Sequence, residues 1–214
     1  MMTRAAQPSA RTFTQDARRA QIVQATIETL ADIGYSKASF SAICRRARLS
    51  STGMISYYFS GKPELFREVG QTILTEAGTA IEASVDAEMT YRGKLGAYIA
   101  SQVTIVIRRP LYAQALAEIV AMAQTRQIAG LDDIARSALS IECLVNLLEQ
   151  GCRAGEFHTF DSRLMALAIR GAIDSVVRHH HLGDGEVDLE RCARQLVDLF
   201  DRCTTSVNSP AEGQ

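Results

Sequence analysis

The chain has 214 residues, 47% of them hydrophobic, enough for a sizeable core in one or two domains. Proline is rare (four residues), tryptophan is absent and aromatics make up 6%, so the composition points to an all-α protein. The five cysteines (Cys44, Cys143, Cys152, Cys192, Cys203) form no CxxC, which argues against a disulfide framework and predicts small buried thiols in a reducing compartment.

The net charge of −1 conceals an asymmetry. Residues 1–60 carry eight Lys/Arg against three Asp/Glu, whereas residues 61–214 carry fifteen against twenty-one. A basic first quarter on an acidic body predicts a polyanionic partner for that quarter alone. No stretch is apolar enough to span a membrane, and the first fifteen residues lack an apolar signal region. A cytoplasmic protein without a membrane partner is expected, with residues 1–14 as a disordered basic arm.

Along the chain, Ile22, Thr26, Leu30 and Ile33 recur at helical spacing, widened by Val23 and Ile27, and predict a helix from Gln15 to Ile33 capped by Gly34. Ser39 is suited to cap a second helix, Phe40 to Ala47. After the turn Arg48-Leu49-Ser50, a third runs from Thr52 to Phe59 and is broken by Ser60-Gly61. Lys62-Pro63-Glu64 opens a fourth that extends to Ala87. Helices are then expected over 90–108, 110–124, 129–154, 161–181 and 188–205, punctuated by Arg109-Pro110, Gly130, Gly155 and Gly183-Asp184-Gly185. Residues 206–214 read as a flexible tail. The domain division that follows is a three-helix unit at 15–61, a connecting helix at 62–87 and a larger helical domain at 88–205.

Three short helices in 15–61 have the proportions of a helix-turn-helix. On the third, Ile55 and Phe59 share one face, with Leu49 ahead of them as core. Gly53, Met54 and Tyr57 lie opposite, and Ser56 and Tyr58 occupy the flanks. An apolar back and a small or hydroxyl-bearing front suit insertion into a DNA groove, where Tyr57 can meet a thymine methyl and Ser51 and Thr52 reach bases or backbone. Lys62 beside the next helix start is a phosphate clamp. Arg45 and Arg46 lie on the helix that crosses the phosphate backbone in such motifs.

The segment 22–66 resembles the N-terminal domain of TetR-family regulators. The agreement covers about residues 18–70. It comprises the first-helix pattern ending in Gly34-Tyr35, Ser39, Ile43-Cys44 in place of the usual Ile-Ala, Ala47, Leu49-Ser50 and Gly53. It closes with Ile55-Ser56-Tyr57-Tyr58-Phe59, then Lys62 and Glu64-Leu65-Phe66. The resemblance implies an N-terminal helix-turn-helix joined by a long helix to a C-terminal ligand-binding and dimerisation domain. It also implies a repressor that leaves a pseudo-palindromic double-stranded operator when a small-molecule effector binds. By resemblance Tyr57 faces the major groove, Tyr58 and Lys62 hold phosphates, and Ser39 and Ser41 stand at the DNA-facing start of the second helix. Three departures stand out. Arg48 occupies a turn position where the family has Gly, Ser50–Gly53 is one residue longer than the common form, and Ser56 replaces a Tyr. Arg48 and Ser56 also motivate the alternative of a helical ligand-binding or interaction protein without operator binding.

The resemblance assigns homodimerisation to the last two long helices, here carrying Leu164, Leu167, Ala168, Gly171, Ser175, Leu196, Leu199 and Phe200, as a four-helix bundle. Candidate effector-pocket residues are Met89, Tyr98, Met122, Phe157 and the helix-spaced pair Arg170 and Asp174. Consecutive His179, His180 and His181 point about 100° apart on a helix and so converge on no metal. No catalytic motif or cofactor signature occurs, and neither an enzyme activity nor a cofactor is expected.

Overall fold

The computed structural model describes residues 10–126, 130–181 and 187–205. Among these residues ten helices follow in order: α1 Ala10–Lys37, α2 Phe40–Arg46, α3 Gly53–Tyr58, α4 Lys62–Asp86, α5 Tyr91–Arg108, α6 Pro110–Arg126, α7 Asp132–Ala138, α8 Glu142–Arg153, α9 Ser162–His181 and α10 Leu189–Thr204. The described residues contain no strand, and no helix among them is long and apolar enough to cross a membrane. Residues 10–14, placed by sequence in a disordered arm, begin α1. The rest of that arm and the tail at 206–214 lie outside the described residues.

The chain divides into two compact units, residues 1–74 with 111–138 and residues 75–110 with 139–214. In the first, α1 buries Ile22, Val23, Ile27 and Leu30. Its buried threonines satisfy their hydroxyls within the helix, Thr26 on the Ile22 carbonyl and Thr29 on that of Ala25. Gly34 ends the regular part of α1 with φ 72° and ψ 167°, a conformation that glycine adopts without steric penalty. Ser39 then caps α2, its hydroxyl accepting from the Ala42 N–H at 3.2 Å. Ile43, Ile55, Phe59, Leu65, Phe66 and Val69 complete the core together with Ile119, Leu131 and Ile134.

The presence of α6 and α7 in this unit differs from a boundary after residue 87. The reason is visible on α6: Ala115, Ile119 and Ala123, a stripe at four-residue spacing, are buried in the same cluster as α1. The single helix expected over 129–154 is two helices. Ile134 and Ala135 belong to one core and Leu144, Val145 and Leu148 to the other, and the turn at 139–141 lets each helix face its own. The second unit buries Leu95, Ile99, Val103, Leu144, Leu148, Ala166, Ile169, Leu196 and Phe200 among α5, α8, α9 and α10. Cys44 is buried, Cys152 and Cys192 are half-buried, and Cys143 and Cys203 are exposed, so only one of the five thiols sits fully in a core.

Candidate nucleic-acid interface

Three contacts hold α3 from behind. Ile55 is fully buried, and Phe59, 1% exposed, closes the helix with its N–H donating to the Ile55 carbonyl at 3.0 Å. The Arg19 guanidinium lies 4.4 Å from the Phe59 ring centroid and donates to the Tyr58 carbonyl at 3.0 Å. It also forks onto Glu68 at 2.9 and 3.1 Å, tying α1, α3 and α4 at one point. The hydrogen bond from Arg19 holds the Glu68 carboxyl below the usual glutamate range. Glu64 is likewise held low by the hydroxyl and N–H of Ser60, which it accepts at 2.6 and 2.8 Å. Both effects favour the folded state at neutral pH and fade as acid protonates these carboxylates.

The outward side of α3 is open. Tyr57 is 72% exposed, its ring edge-on to Tyr58 with centroids 5.0 Å apart. Ser56, Gly53, Thr52 and Ser51 are exposed, and Met54 is half-buried with its sulfur 3.5 Å from the Ser50 hydroxyl. Thr52 occupies the cap position of α3, yet its hydroxyl makes no cap hydrogen bond and remains available. A Cβ built on Gly53 would meet only the Ser51 hydroxyl, at 3.5 Å, so packing within the chain does not require a glycine there.

The cations of this region divide into two groups. Arg46 is engaged by Asp32, which removes it from the phosphate-facing set expected on α2. Arg45 and Arg48 are exposed, and among the described residues neither has an acidic partner. Arg48 has φ 52°, the only described non-glycine residue with positive φ. The turn therefore keeps a left-handed backbone although it carries an arginine, at a cost of about 1 kcal/mol. Lys62 is half-buried, with Nζ 5.9 Å from the Tyr35 ring centroid and 5.7 Å from that of Phe66. Burial against these rings lowers its pKa. Ser39 spends its acceptor on the α2 cap, Ser41 is exposed, and Tyr58 is half-buried.

This geometry is that of a helix-turn-helix, and comparison with known proteins agrees with it. Residues 22–69 match the family of bacterial regulatory proteins described as the tetR family. The N-terminal region is a TetR-family domain. Over 67 residues it is 42% identical to the HTH-type transcriptional regulator BetI 1 of Chromohalobacter salexigens, a match covering 31% of this chain and 33% of that relative. The chain thus spans about a third of the length of that relative. A longer alignment, 186 residues at 24% identity, covers 84% of this chain and 92% of the fatty acid metabolism regulator protein of Bacillus subtilis. Among solved structures, FadR of Bacillus halodurans superposes with a TM-score of 0.74 at 22% identity, covering 86% of this chain and 97% of its own. Bacillus subtilis FadR in complex with stearoyl-CoA superposes with 0.73 at 21%, with the same coverages. These structures share the fold of the chain beyond its N-terminal domain.

The residues assigned elsewhere by sequence fare differently. Leu164, Ala168, Gly171 and Ser175 form an exposed stripe on α9, and Leu199 is exposed on α10. Leu196 and Phe200 are a correction: they are 8% and 6% exposed and pack into their own unit, because α10 turns Leu189, Ala193, Leu196, Phe200 and Thr204 inward together. The expected effector-pocket residues fall in both units. Met122 belongs to the first unit and the other five to the second. Met89 is 94% exposed, and Tyr98 and Phe157 are buried core residues. Arg170 and Asp174 do pair, Nε to Oδ1 at 3.0 Å, as their helical spacing predicted. The rings of His179 and His180 bond to separate backbone carbonyls, those of Ser175 and Val187. Sequence reasoning missed the Arg19 clip, the Gln21 amide on the Ala47 carbonyl (2.8 Å), and Glu118, which accepts from the Tyr35 N–H at 2.8 Å. None of these partners stands at a spacing that signals the contact.

Proposed function

We propose that this chain is a homodimeric transcriptional repressor that binds a pseudo-palindromic operator through α2 and α3 and leaves it when a small-molecule effector binds. The observation that carries the proposal is the two-sidedness of α3: Tyr57 stands 72% exposed on a helix whose reverse, Ile55 and Phe59, is fully packed. A tyrosine so exposed contributes nothing to the core, while its position suits a base edge or thymine methyl in the major groove. Gly53, which the chain's own packing does not require, leaves room for the duplex to approach the start of the same helix. Arg45, Arg48 and Lys62 supply phosphate contacts, with hydroxyls from Ser39, Ser41, Ser51, Thr52, Ser56 and Tyr58.

The effector acts on spacing. Recognition helices of a dimer engage two half-sites about 34–36 Å apart, and a shift of α4 that alters this distance prevents simultaneous docking. The effector is assigned to the second unit, with Tyr98, Phe157 and the Arg170–Asp174 pair as starting points for mutagenesis. The stearoyl-CoA bound to the Bacillus subtilis structure makes long-chain acyl thioesters the first class to test. Stearoyl-CoA is expected to raise the melting temperature and release DNA.

The direct test is binding to duplexes selected by the wild-type chain from a random library. Tyr57→Ala is expected to lose about 10- to 100-fold in specific affinity, the worth of about one base contact, with an unchanged melting temperature. Equal affinity of the two proteins would reject the assigned groove face. Arg48→Gly is expected to move two quantities in opposite directions. Relief of the left-handed arginine raises stability by up to about 1 kcal/mol, partly offset by the freer unfolded glycine. Loss of one phosphate contact weakens binding to all duplexes and reduces the salt slope by about 1. A slope identical to wild type would remove Arg48 from the interface.

A further inference from the structure

The helix-turn-helix unit contains a contact that the motif itself does not account for. At Gly34 the ψ of 167° flips the next peptide plane away from the helical direction. The Tyr35 N–H therefore points off the α1 ladder, and it donates to Oε2 of Glu118, on α6, at 2.8 Å. A Cβ on Gly34 would come within 3.1 Å of the same oxygen, so the carboxylate sits directly against the break. Below this point the chain enters Ala38 and Ser39, the cap of α2. The Tyr35 ring packs edge-on against Phe66, centroids 4.9 Å apart, and Lys62 lies over both rings. One carboxylate thus fixes the residue from which both the start of α2 and the environment of Lys62 are set.

Helix α6 is held to α1 at a second place, where the Tyr112 hydroxyl donates to the Gln24 side chain at 3.0 Å. Ala115 and Ile119 of the same helix are both fully buried in the core cluster that includes α1.

We infer that Glu118 is a positioning residue for DNA recognition, coupling the seating of α6 to the register of the α1–α2 joint. The inference rests on the DNA-binding reading above. Movement of α6 that withdraws Glu118 releases the Tyr35 N–H, loosens the joint and misplaces α2 and Lys62 together. Recognition is lost without any change to a side chain that touches the duplex. Because the contact uses carboxylate oxygen as an acceptor, an amide oxygen at the same position can replace it.

The test compares full-length wild type with Glu118→Ala and Glu118→Gln on two probes, a duplex selected by the wild type and an unrelated duplex of equal length. Circular dichroism checks folding at the assay temperature, and amide exchange is followed at Tyr35. Glu118→Ala is expected to lose about tenfold in specific affinity, the scale of one hydrogen bond to a charged group, and to lose severalfold less on the unrelated duplex, where the displaced Lys62 forfeits only a phosphate contact. Tyr35 exchange accelerates in step, and Glu118→Gln restores both. Should Glu118→Ala fail to fold, Glu118→Asp keeps the charge but shortens the reach, and it is expected to show the same selective loss. Wild-type discrimination in Glu118→Ala or Glu118→Asp, or equal loss on both probes, overturns the inference. A wild-type chain that selects no duplex overturns the DNA-binding reading and the inference together.

Discussion

Leu164→Glu combined with Leu167→Glu is expected to give a folded monomer with operator affinity reduced by at least about 100-fold. The two leucines are 65% and 54% exposed on α9, whose opposite face buries Ala166, Ile169 and Ile173 in the core. Charging the outer face therefore leaves the inner packing intact. Along the outer face, Ala168, Gly171 and Ser175 continue the stripe with small side chains, and Leu199 on α10 adds a further 51% exposed leucine. Three large aliphatic side chains this exposed are an unpaired apolar surface, and a second copy of the same surface is the partner that the proposed dimer supplies. Two linked half-site contacts exceed one by about 10²–10⁴ in affinity, so separating the protomers removes that factor without touching a base contact. Sedimentation of the variant and its binding to full and half operators measure the two effects. A variant that remains dimeric refutes the α9 assignment, and a monomer with undiminished full-site affinity refutes the two-half-site mechanism.

What the sequence revealed was local. The Ser39 cap, the glycine break at Gly34 and the opposed faces of α3 depend on neighbours within about four residues, and all three can be read from spacing. The long fourth helix is legible too, from its Lys62-Pro63-Glu64 start. Contacts between distant segments left no such trace. Arg19 and Glu68 are 49 residues apart, and Tyr35 and Glu118 are 83 apart, so no periodicity marks either pair. The same holds for α6: its Ala115–Ile119–Ala123 stripe announces a buried face but not which core receives it. On α10 the phase itself is legible. Leu189, Ala193, Leu196 and Phe200 repeat at alternating steps of four and three, which sets one inward face and leaves Leu199 outside it. The pocket candidates are poorly legible in the sequence for a chemical reason. Methionine, tyrosine and phenylalanine line cores as readily as ligand sites, and composition alone does not separate the two.

Phe59→Ala is expected to destabilise the first unit by about 3–5 kcal/mol, the usual cost of deleting a fully buried phenylalanine ring. Here the ring does two jobs at once: it fills the core at 1% exposure and supports the Arg19 guanidinium at 4.4 Å. Removing it leaves a cavity under the guanidinium that also holds Glu68 and the Tyr58 carbonyl, so the clip across α1, α3 and α4 loosens with it. Phe59→Leu keeps most of the volume and should cost under about 1.5 kcal/mol. Urea unfolding of the three proteins gives the stabilities, and amide exchange at Ile55 and Tyr58 reports whether α3 opens locally. Specific DNA binding should fall with the loss of ordered α3 in Phe59→Ala and persist in Phe59→Leu. Set beside Tyr57→Ala, two residues away, the comparison separates the roles of the two faces: one substitution removes affinity at constant stability, the other removes the support that keeps the recognition surface in place. A loss below about 1 kcal/mol for Phe59→Ala would mean that α3 does not depend on its buried side, and the distinction between a packed back and a reading front would fail.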